Sequence, residues 1–477
     1  MEQNLSKFVF PRRELWTYSL SIALQNLLIL IVSLLDNIML GSYAEEALAG
    51  ATLANQVQFI VQMTVAGLCE GLVIMLAQAM GGKRQREYSW LYRIAMLSSI
   101  ILSALFFFIM MFYPQMIFQL LSTDKQVLNQ ALLYTQYIRF TYPAFIFTQV
   151  LLALMRCFGI VNIAYLSAFI SLLLNGALNY MFIFGRWGAP RLGIVGAASA
   201  TLVARYAALL LVLVTFIWGR RKQVISLSWH LDASRSDELE LVQATRNTLA
   251  GRKYFYKFLL VTTPNFIAQF LWGLSTFLQL AVLGGYGKTV IVGNSVAVNY
   301  SQIITVVIYG LASGAQVIVG KVIGEGNVVK LVDYAGKLQR RYLVVAVISA
   351  LLLLLSHLTV PWFYHSLSLE ALRRCKEFLF VQALCCLGQG YQVPTDFSLV
   401  RATGNTMFPL KLNFVTGWII GLPIAFYLSS LGVSPVWVFL VIRSDQLIKA
   451  PIIYAKVKHY LSQVQRDPSK LSAIRQT

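Results

Sequence analysis

An aspartate inside an apolar segment of membrane-spanning length is the residue with the most evident chemistry. Asp36 lies near the end of an apolar run that begins near Trp16 and closes at Gly41. A carboxylate at such a depth costs about 2.5–3.5 kcal/mol on insertion scales, so it generally faces a cavity, a partner or an ion. Either Asp36 reaches water at the outer headgroups, or it binds a cation within the membrane.

Three further polar residues in apolar segments could complete a cation site. Asn175 and Asn179 are four residues apart in one segment, so they share a helix face. With a rise of about 1.5 Å per residue, Asp36, Asn179 and Thr201 lie at comparable depths below the outer ends of their helices. One carboxylate with neutral amide and hydroxyl oxygens suits a singly charged cation such as H⁺ or Na⁺. The alternative is that the amides and the hydroxyl only join helices by hydrogen bonds.

The amino-acid composition is typical of a membrane protein. Of the 477 residues, 58% are hydrophobic and 12% are charged, whereas soluble domains average about 25% charged residues. The net charge of +20 comes from Lys and Arg in short segments between apolar runs. That distribution indicates membrane topology, with the lipid bilayer rather than nucleic acid as the partner.

Twelve apolar segments of spanning length position the polar residues. Residues 219–254 are polar and are predicted to link two six-helix lobes, 1–218 and 255–457, with a tail at 458–477. Lys and Arg are more frequent in the segments on one side of the predicted membrane, and cytoplasmic segments generally carry this excess. The linker, the tail and both termini are therefore predicted to be cytoplasmic. The segments extend approximately over 16–41, 53–80, 91–113, 131–157, 163–185, 192–218, 255–284, 294–323, 341–364, 377–401, 408–430 and 434–456.

The two halves repeat each other in sequence. A shift of 243 residues carries Gly41 to Gly284 without a gap and keeps its register over the next forty positions. Six helices return the chain to its starting side, so the repeats are predicted to be parallel, related by an axis along the membrane normal. The shift pairs Gly41, Gly50, Gly67, Gly71 and Gly81 with Gly284, Gly293, Gly310, Gly314 and Gly324.

Several stretches, in order along the chain, resemble the multidrug and toxic compound extrusion (MATE) transporters. They are Leu35–Gly41, Ala47–Gly50, Ala77–Gln78, Gly193–Thr201 and Arg401–Thr406. The resemblance covers about residues 14–457. It implies an all-α polytopic protein of twelve helices, two parallel repeats around a central cavity. It also implies an antiporter, acting by rocking of two lobes, that exports mostly cationic, amphipathic organic compounds in exchange for H⁺ or Na⁺, with no cofactor.

The resemblance also assigns site residues. Asp36, Asn175 and Asn179 match cation-site positions of the family, and Thr201 is added from its depth. Some members have Asp at the position of Asn179, so one charge fewer here favours H⁺ slightly. Asp396 is expected to form a structural pair or to approach the cytoplasmic face. Polar residues of the second half are predicted to line a substrate cavity: Asn265, Gln269, Gln389, Tyr391 and Gln392.

Other classes of protein fit less well. The four histidines are not at metal-ligand spacing, and neither a phosphate-binding loop nor a nucleophile elbow is present, so an enzyme is not expected. A lipid-linked oligosaccharide flippase of the same superfamily and a non-transporting membrane scaffold or sensor remain as alternatives. We expect a monomer in a bacterial cytoplasmic (inner) membrane.

Overall fold

The structure, a computed structural model, describes residues 10–119, 124–225, 237–363, 368–469 and 471. Within these ranges every regular element is helical, as the sequence predicts. The α-helices are α1 (Arg12–Tyr43), α2 (Glu45–Gly81), α3 (Gln85–Phe112), α4 (Pro114–Gln119), α5 (Lys125–Ile138), α6 (Thr141–Cys157), α7 (Asn162–Phe184), α8 (Ile194–Arg221), α9 (Asp237–Gly284), α10 (Lys288–Glu325), α11 (Val328–Phe363), α12 (Leu369–Thr395), α13 (Met407–Asn413), α14 (Leu422–Ser430) and α15 (Pro435–Arg466).

The long helices coincide with the predicted spans. Among the described residues, nine helices are long and apolar enough to cross a membrane, where α13, the π-helical stretch Phe414–Gly421 and α14 count as one. The number is ten if α5 and α6 form one span bent by 55°. The predicted segment 377–401 lies in α12 and the turns that continue it to Arg401, and 434–456 coincides with the first part of α15. Both are long helices but are less apolar. A wide polar linker was predicted at 219–254; residues 226–236 lie outside the described residues, and α9 already begins at Asp237.

The chain folds into two compact units. Unit 1 comprises the described residues of Met1–Ala23, Ala77–Lys83 and Thr263–Thr477, and unit 2 those of Leu24–Leu76 and Arg84–Thr262. The helices α1, α2 and α9 therefore each contribute to both units. The predicted lobe boundaries, 1–218 and 255–457, stay a prediction.

Small residues let the helices of unit 2 approach closely. A Cβ on Gly176 of α7 would lie 3.0 Å from Leu35 of α1, and one on Gly196 of α8 would lie 2.7 Å from the Phe182 backbone. Glycine permits these close contacts because it has no side chain, as is common between membrane helices. These contacts bring α1, α7 and α8 together at the level of the predicted cation site.

Unit 1 contains a reciprocal contact between repeat-related glycines. A Cβ on Gly81 would overlap the carbonyl oxygen of Lys321, and a Cβ on Gly324 would overlap that of Gln78. The shift of 243 residues that aligns the repeats carries Gln78 to Lys321 and Gly81 to Gly324. The two segments thus meet through equivalent residues, which is the physical reason for a glycine at both positions.

One helix of unit 1 changes its winding near the family-like Arg401–Thr406 stretch. The helix α12 continues as a π-helical turn, Asp396–Val400, and a 3₁₀ turn, Arg401–Thr403. A π-helical turn pairs residues five apart, and the Arg401 N–H indeed donates to the Asp396 carbonyl. The winding therefore stacks the Arg401 side chain beside that of Asp396.

Candidate functional site in unit 2

The predicted cation residues form one continuous chain of hydrogen bonds. Asn179 Nδ2 donates to Asp36 Oδ1 and also to Asn175 Oδ1, the latter at 3.0 Å. Asn175 Nδ2 donates to Thr201 Oγ1 at 3.1 Å. The chain links α1, α7 and α8, because Asn175 and Asn179 lie one turn apart on the same face of α7. The structure thus brings together the four residues that the sequence analysis selected.

Burial makes this arrangement electrostatically strong. Asn175 and Asn179 are 1% and 0% exposed, and Thr201 is buried, whereas Asp36 is half-buried. Hydrogen bonds to an ionised group are roughly twice as strong as neutral ones. A low-dielectric surrounding strengthens them further. The two asparagines therefore hold the Asp36 carboxylate in one orientation.

One buried oxygen of this hydrogen-bonded group has no partner among the described residues. Asn179 Oδ1 is buried and accepts no hydrogen bond from any of the described residues. Buried polar atoms are nearly always paired, so an unpaired amide oxygen next to a carboxylate is a candidate ligand position for a cation. Asp36 and Asn179 together offer one negative charge and one neutral oxygen to a cation.

The site opens onto a cavity within unit 2. This cavity has a volume of about 260 Å³, and Asp36, Asn175 and Thr201 line it. Its wall is rich in amide side chains and also carries aromatic rings, including Phe59, Tyr134 and Phe145. Besides Asn175, the amide groups on the wall are those of Gln25, Asn55, Gln58, Gln62 and Gln149. The cavity therefore offers both hydrogen-bonding groups and apolar surface to a bound compound.

A second charge, Arg205, shares the cavity with Asp36. Arg205 lies one turn after Thr201 on α8 and interacts electrostatically with Asp36. Its Nη1 donates to Thr141 Oγ1 at 3.1 Å, and its guanidinium lies 4.9 Å from the Phe145 ring centre. The sequence predicts a site role for Thr201 and none for Arg205, although a spacing of four places both on one helix face.

The polar residues predicted to line a second-half cavity lie inside unit 1. Asn265 is buried and accepts a hydrogen bond from Arg401 Nη1 at 3.3 Å. Gln389 donates to Tyr309 at 3.3 Å, and Gln392 donates to Gln446 at 2.7 Å. Gln269 is half-buried and Tyr391 is buried. None of these five lines the described cavity of unit 1, so their role in substrate binding stays a prediction.

Asp396 forms the structural pair that was one of the two expectations for it. Arg401 Nε and Nη2 lie 3.0 Å and 2.9 Å from Asp396 Oδ2, and both side chains are buried. Both nitrogens contact the same carboxylate oxygen, while Asp396 Oδ1 is buried and has no hydrogen-bond partner among the described residues. The charge of Asp396 is therefore compensated by a direct ion pair, whereas Asp36 forms none with the described residues.

Unit 1 also contains a small cavity at the position that the repeat relates to the Asp36 site. Its volume is about 60 Å³, and Gln279, which the repeat aligns with Asp36, is in its wall. The acid here is Asp445 on α15, which forms an ion pair with Lys449 one turn further along. In this cavity Lys449 is therefore the counter-cation of Asp445. Separately, the described residues include no cluster of three or more His, Cys, Asp or Glu that could hold a metal.

Comparison with protein families gives one match that spans both halves. The model of the MatE family matches residues 21–181 and 264–427. Among curated relatives, "Multidrug resistance protein NorM" from Aliivibrio fischeri is 24% identical over 403 residues, 82% of this chain and 81% of that protein. "Multidrug resistance protein MdtK" from Yersinia pseudotuberculosis is 22% identical over 429 residues, 89% of each chain.

Solved structures with the same fold are also found. A MATE protein crystallised in complex with MaL6 has a TM-score of 0.82 at 18% identity, over 96% of this chain and 97% of that one. An outward-facing multidrug resistance MATE family transporter of the MOP superfamily has a TM-score of 0.80 at 19% identity, with the same coverage. These likenesses confirm the predicted all-α polytopic fold.

Proposed function

This chain belongs to the MatE family of transporters, and from that premise we propose that it is an ion-coupled antiporter that exports organic compounds. The relatives that are named as multidrug resistance proteins cover most of the chain, which supports export of several compounds rather than one. We take cationic, amphipathic molecules as the main class, because the unit 2 cavity combines a carboxylate with aromatic walls. Membership of a transporter family excludes an enzyme.

The coupling ion is proposed to bind at Asp36. The observation that carries this proposal is that Asn179 holds the Asp36 carboxylate and that no side-chain cation among the described residues neutralises it by direct contact. Na⁺ would use Asp36 and Asn179, with Asn175 and Thr201 holding them in place, and H⁺ would protonate Asp36 itself. We favour H⁺, because one carboxylate takes one proton without needing further ligands. No cofactor is part of this scheme.

Alternating access is proposed to come from movement of the two sequence halves against each other. The sequence repeat supports this, since transporters built from repeats generally move one repeat against the other. The Lys and Arg distribution supports cytoplasmic termini and a cytoplasmic linker. We propose a single chain as the functional unit and the bacterial cytoplasmic (inner) membrane as its place.

Ion-driven efflux from proteoliposomes tests the proposed function. The purified full-length chain is reconstituted, the vesicles take up the organic cation ethidium, and a pH gradient or a Na⁺ gradient is imposed separately. We expect ethidium flux that requires a gradient and stops when an ionophore collapses it. Protein-free liposomes are the control. Ethidium flux that is the same with and without either gradient would contradict the antiporter proposal.

A further inference from the structure

Unit 1 contains an arginine cluster that its first helix and α11 share. The cluster consists of Arg12 and Arg13 at the start of α1 and Arg340 and Arg341 in α11. Phe10, two residues before α1, is buried and joins the two helices. Its ring centre lies 4.1 Å from the Arg341 guanidinium and 4.8 Å from the ring centre of Tyr334. Because a cation over an aromatic face is attracted to the ring, Phe10 holds the Arg341 side chain beside the start of α1.

The arginine cluster brings like charges together without an acid in contact. Arg12 and Arg341 are close enough to interact electrostatically, and no arginine of the cluster forms an ion pair within the described part of the chain. Asp333, nearby on α11, is already paired with Lys337 at 2.6 Å. Glu14, exposed in the first turn of α1, still leaves the cluster a net charge of +3, from four arginines and one glutamate. An anion bound here would relieve the repulsion between the two guanidinium groups.

Both pairs of arginines stand at the end of an apolar helix face that is exposed. On α1, Trp16 and Leu20 follow Arg13 at spacings of three and seven, and on α11 Val344 follows Arg341 at a spacing of three. These spacings place each arginine on the same face as the apolar residues that follow it. Trp16, Leu20 and Val344 are exposed, as lipid-facing residues of a spanning helix are. The arginine cluster therefore lies at the level of the lipid headgroups, where tryptophan is also common.

The geometry distinguishes this cluster from arginines that merely extend to the membrane surface. A single flexible arginine near a helix end reaches the headgroups of any lipid. Here the Arg341 guanidinium is held on the Phe10 ring and the start of α1 places Arg12 near it. Two helices thus present guanidinium groups to one place, beside apolar surface on each helix.

We propose that the arginine cluster binds the headgroup phosphate of an anionic phospholipid, whose acyl chains lie along the exposed apolar faces of α1 and α11. The guanidinium fork matches the oxygens of a phosphate, and basic clusters beside membrane helices bind anionic headgroups. A zwitterionic lipid such as phosphatidylcholine brings its own ammonium group, which the cluster would repel. Phosphatidylglycerol carries no such group. This inference does not depend on the proposed export function.

Native mass spectrometry of the full-length chain tests the proposal by direct binding. The delipidated protein in detergent is titrated with phosphatidylglycerol or with phosphatidylcholine of the same acyl chains, and the dissociation constant of the first bound lipid is measured. We expect phosphatidylglycerol to bind about tenfold more tightly. The soluble headgroup glycerophosphoglycerol is added as a competitor. It should not displace the lipid at equal concentration, because it lacks the acyl chains that contact the apolar faces.

A double substitution at the junction of the two helices tests the cluster itself. Arg12→Gln combined with Arg341→Gln should weaken phosphatidylglycerol binding about tenfold and change phosphatidylcholine binding by less than about threefold. The matched control combines Arg221→Gln with Lys222→Gln, which removes two positive charges at the end of α8 in unit 2, and it should bind as the wild type. Size-exclusion chromatography verifies folding. Arg12→Gln alone, at an exposed position, should weaken binding about threefold.

Four results would overturn the proposal. The first is equal affinity of the wild type for the two lipids, and the second is displacement of phosphatidylglycerol by an equal concentration of the soluble headgroup, which would indicate a free phosphate ligand. The third is wild-type affinity in the double variant, or in Arg12→Gln if the double variant does not fold. The fourth is an equal loss in the control, which would indicate an effect of overall charge. Each result leaves the antiporter proposal untouched, since none of them measures transport.

Discussion

Asn179 donates a hydrogen bond to Asp36 while its own side-chain oxygen, although buried, accepts none from the described residues. The same Nδ2 group also donates to Asn175, so the orientation of the amide is fixed from two sides. The unpaired oxygen is therefore held next to the carboxylate. In the proposed mechanism Asn179 positions Asp36 and is available to the coupling ion as a second ligand.

Replacing Asn179 should change ion coupling without unfolding the protein. Asn179→Ala removes a hydrogen bond that favours the ionised form of Asp36, so the H⁺ concentration for half-maximal ethidium flux should fall about tenfold. If Na⁺ were the coupling ion, the same substitution would remove a ligand and the required Na⁺ concentration would rise instead. Asn179→Asp adds a second carboxylate and should increase the response to Na⁺. Asn129→Ala, on an exposed part of α5, is the control. Unchanged ion dependence in both Asn179 variants would exclude Asn179 from the site.

A side chain at Gly81 should destabilise the protein. A Cβ there would overlap the Lys321 carbonyl oxygen, and overpacking of this kind typically costs about 1–3 kcal/mol. We expect Gly81→Ala to lower the midpoint of thermal unfolding. Gly336→Ala, in α11 with nothing within 4 Å of its Cβ, should be neutral or slightly stabilising, since alanine favours a helix by about 0.5–1 kcal/mol. Equal midpoints for the two variants would refute the close contact.

Asp396→Asn should reduce stability and spare ion coupling. It breaks a buried ion pair with Arg401, and removing one partner of such a pair costs about 3–5 kcal/mol. Glu325→Gln, which breaks the partly exposed pair with Lys330, should cost at most about 1 kcal/mol. Both are measured by thermal unfolding together with ethidium flux per folded protein. Loss of gradient dependence in Asp396→Asn at full stability would instead place Asp396 in the coupling mechanism.

The proposed topology can be tested with single cysteines in a chain from which the five native cysteines are removed. Ser42→Cys is expected to face the outside, and Ser469→Cys, near the C-terminus, is expected to face the cytoplasm. An impermeant maleimide added to intact cells should label the first variant and should label the second only after lysis. Labelling of Ser469→Cys in intact cells would reverse the orientation deduced from the Lys and Arg distribution.

Helical periodicity made part of the site predictable. The spacing of four between Asn175 and Asn179, and the similar depths of Asp36 and Thr201, place these residues together once three helices pack. The structure joins them by hydrogen bonds. Arg205 was not assigned a role, because a lone intramembrane arginine has several possible partners and only the packing of α6 against α8 shows that it lines the cavity.

Other features depend on tertiary packing or on local winding that no simple pattern encodes. The 55° bend between α5 and α6 and the π-helical turn at Asp396 belong to this class. A π-helical turn contains about one residue more than an α-helical turn. The side chains of Asp396 and Arg401, five residues apart, therefore lie side by side, which α-helical periodicity does not predict. The apolar pattern also missed the helix from Asp237, since its first turns are polar.

The most direct test of the proposed mechanism is the pH-gradient-driven flux of ethidium by the Asp36→Asn protein in Na⁺-free proteoliposomes. Asparagine keeps the size of the side chain and can bond Asn179, but it cannot exchange a proton or carry a charge. We predict that flux driven by the pH gradient falls to the level of protein-free liposomes, while insertion and thermal stability stay near those of the wild type. Full gradient-driven flux in Asp36→Asn would contradict a coupling role for Asp36, and wild-type flux that requires Na⁺ at zero pH gradient would contradict the choice of H⁺.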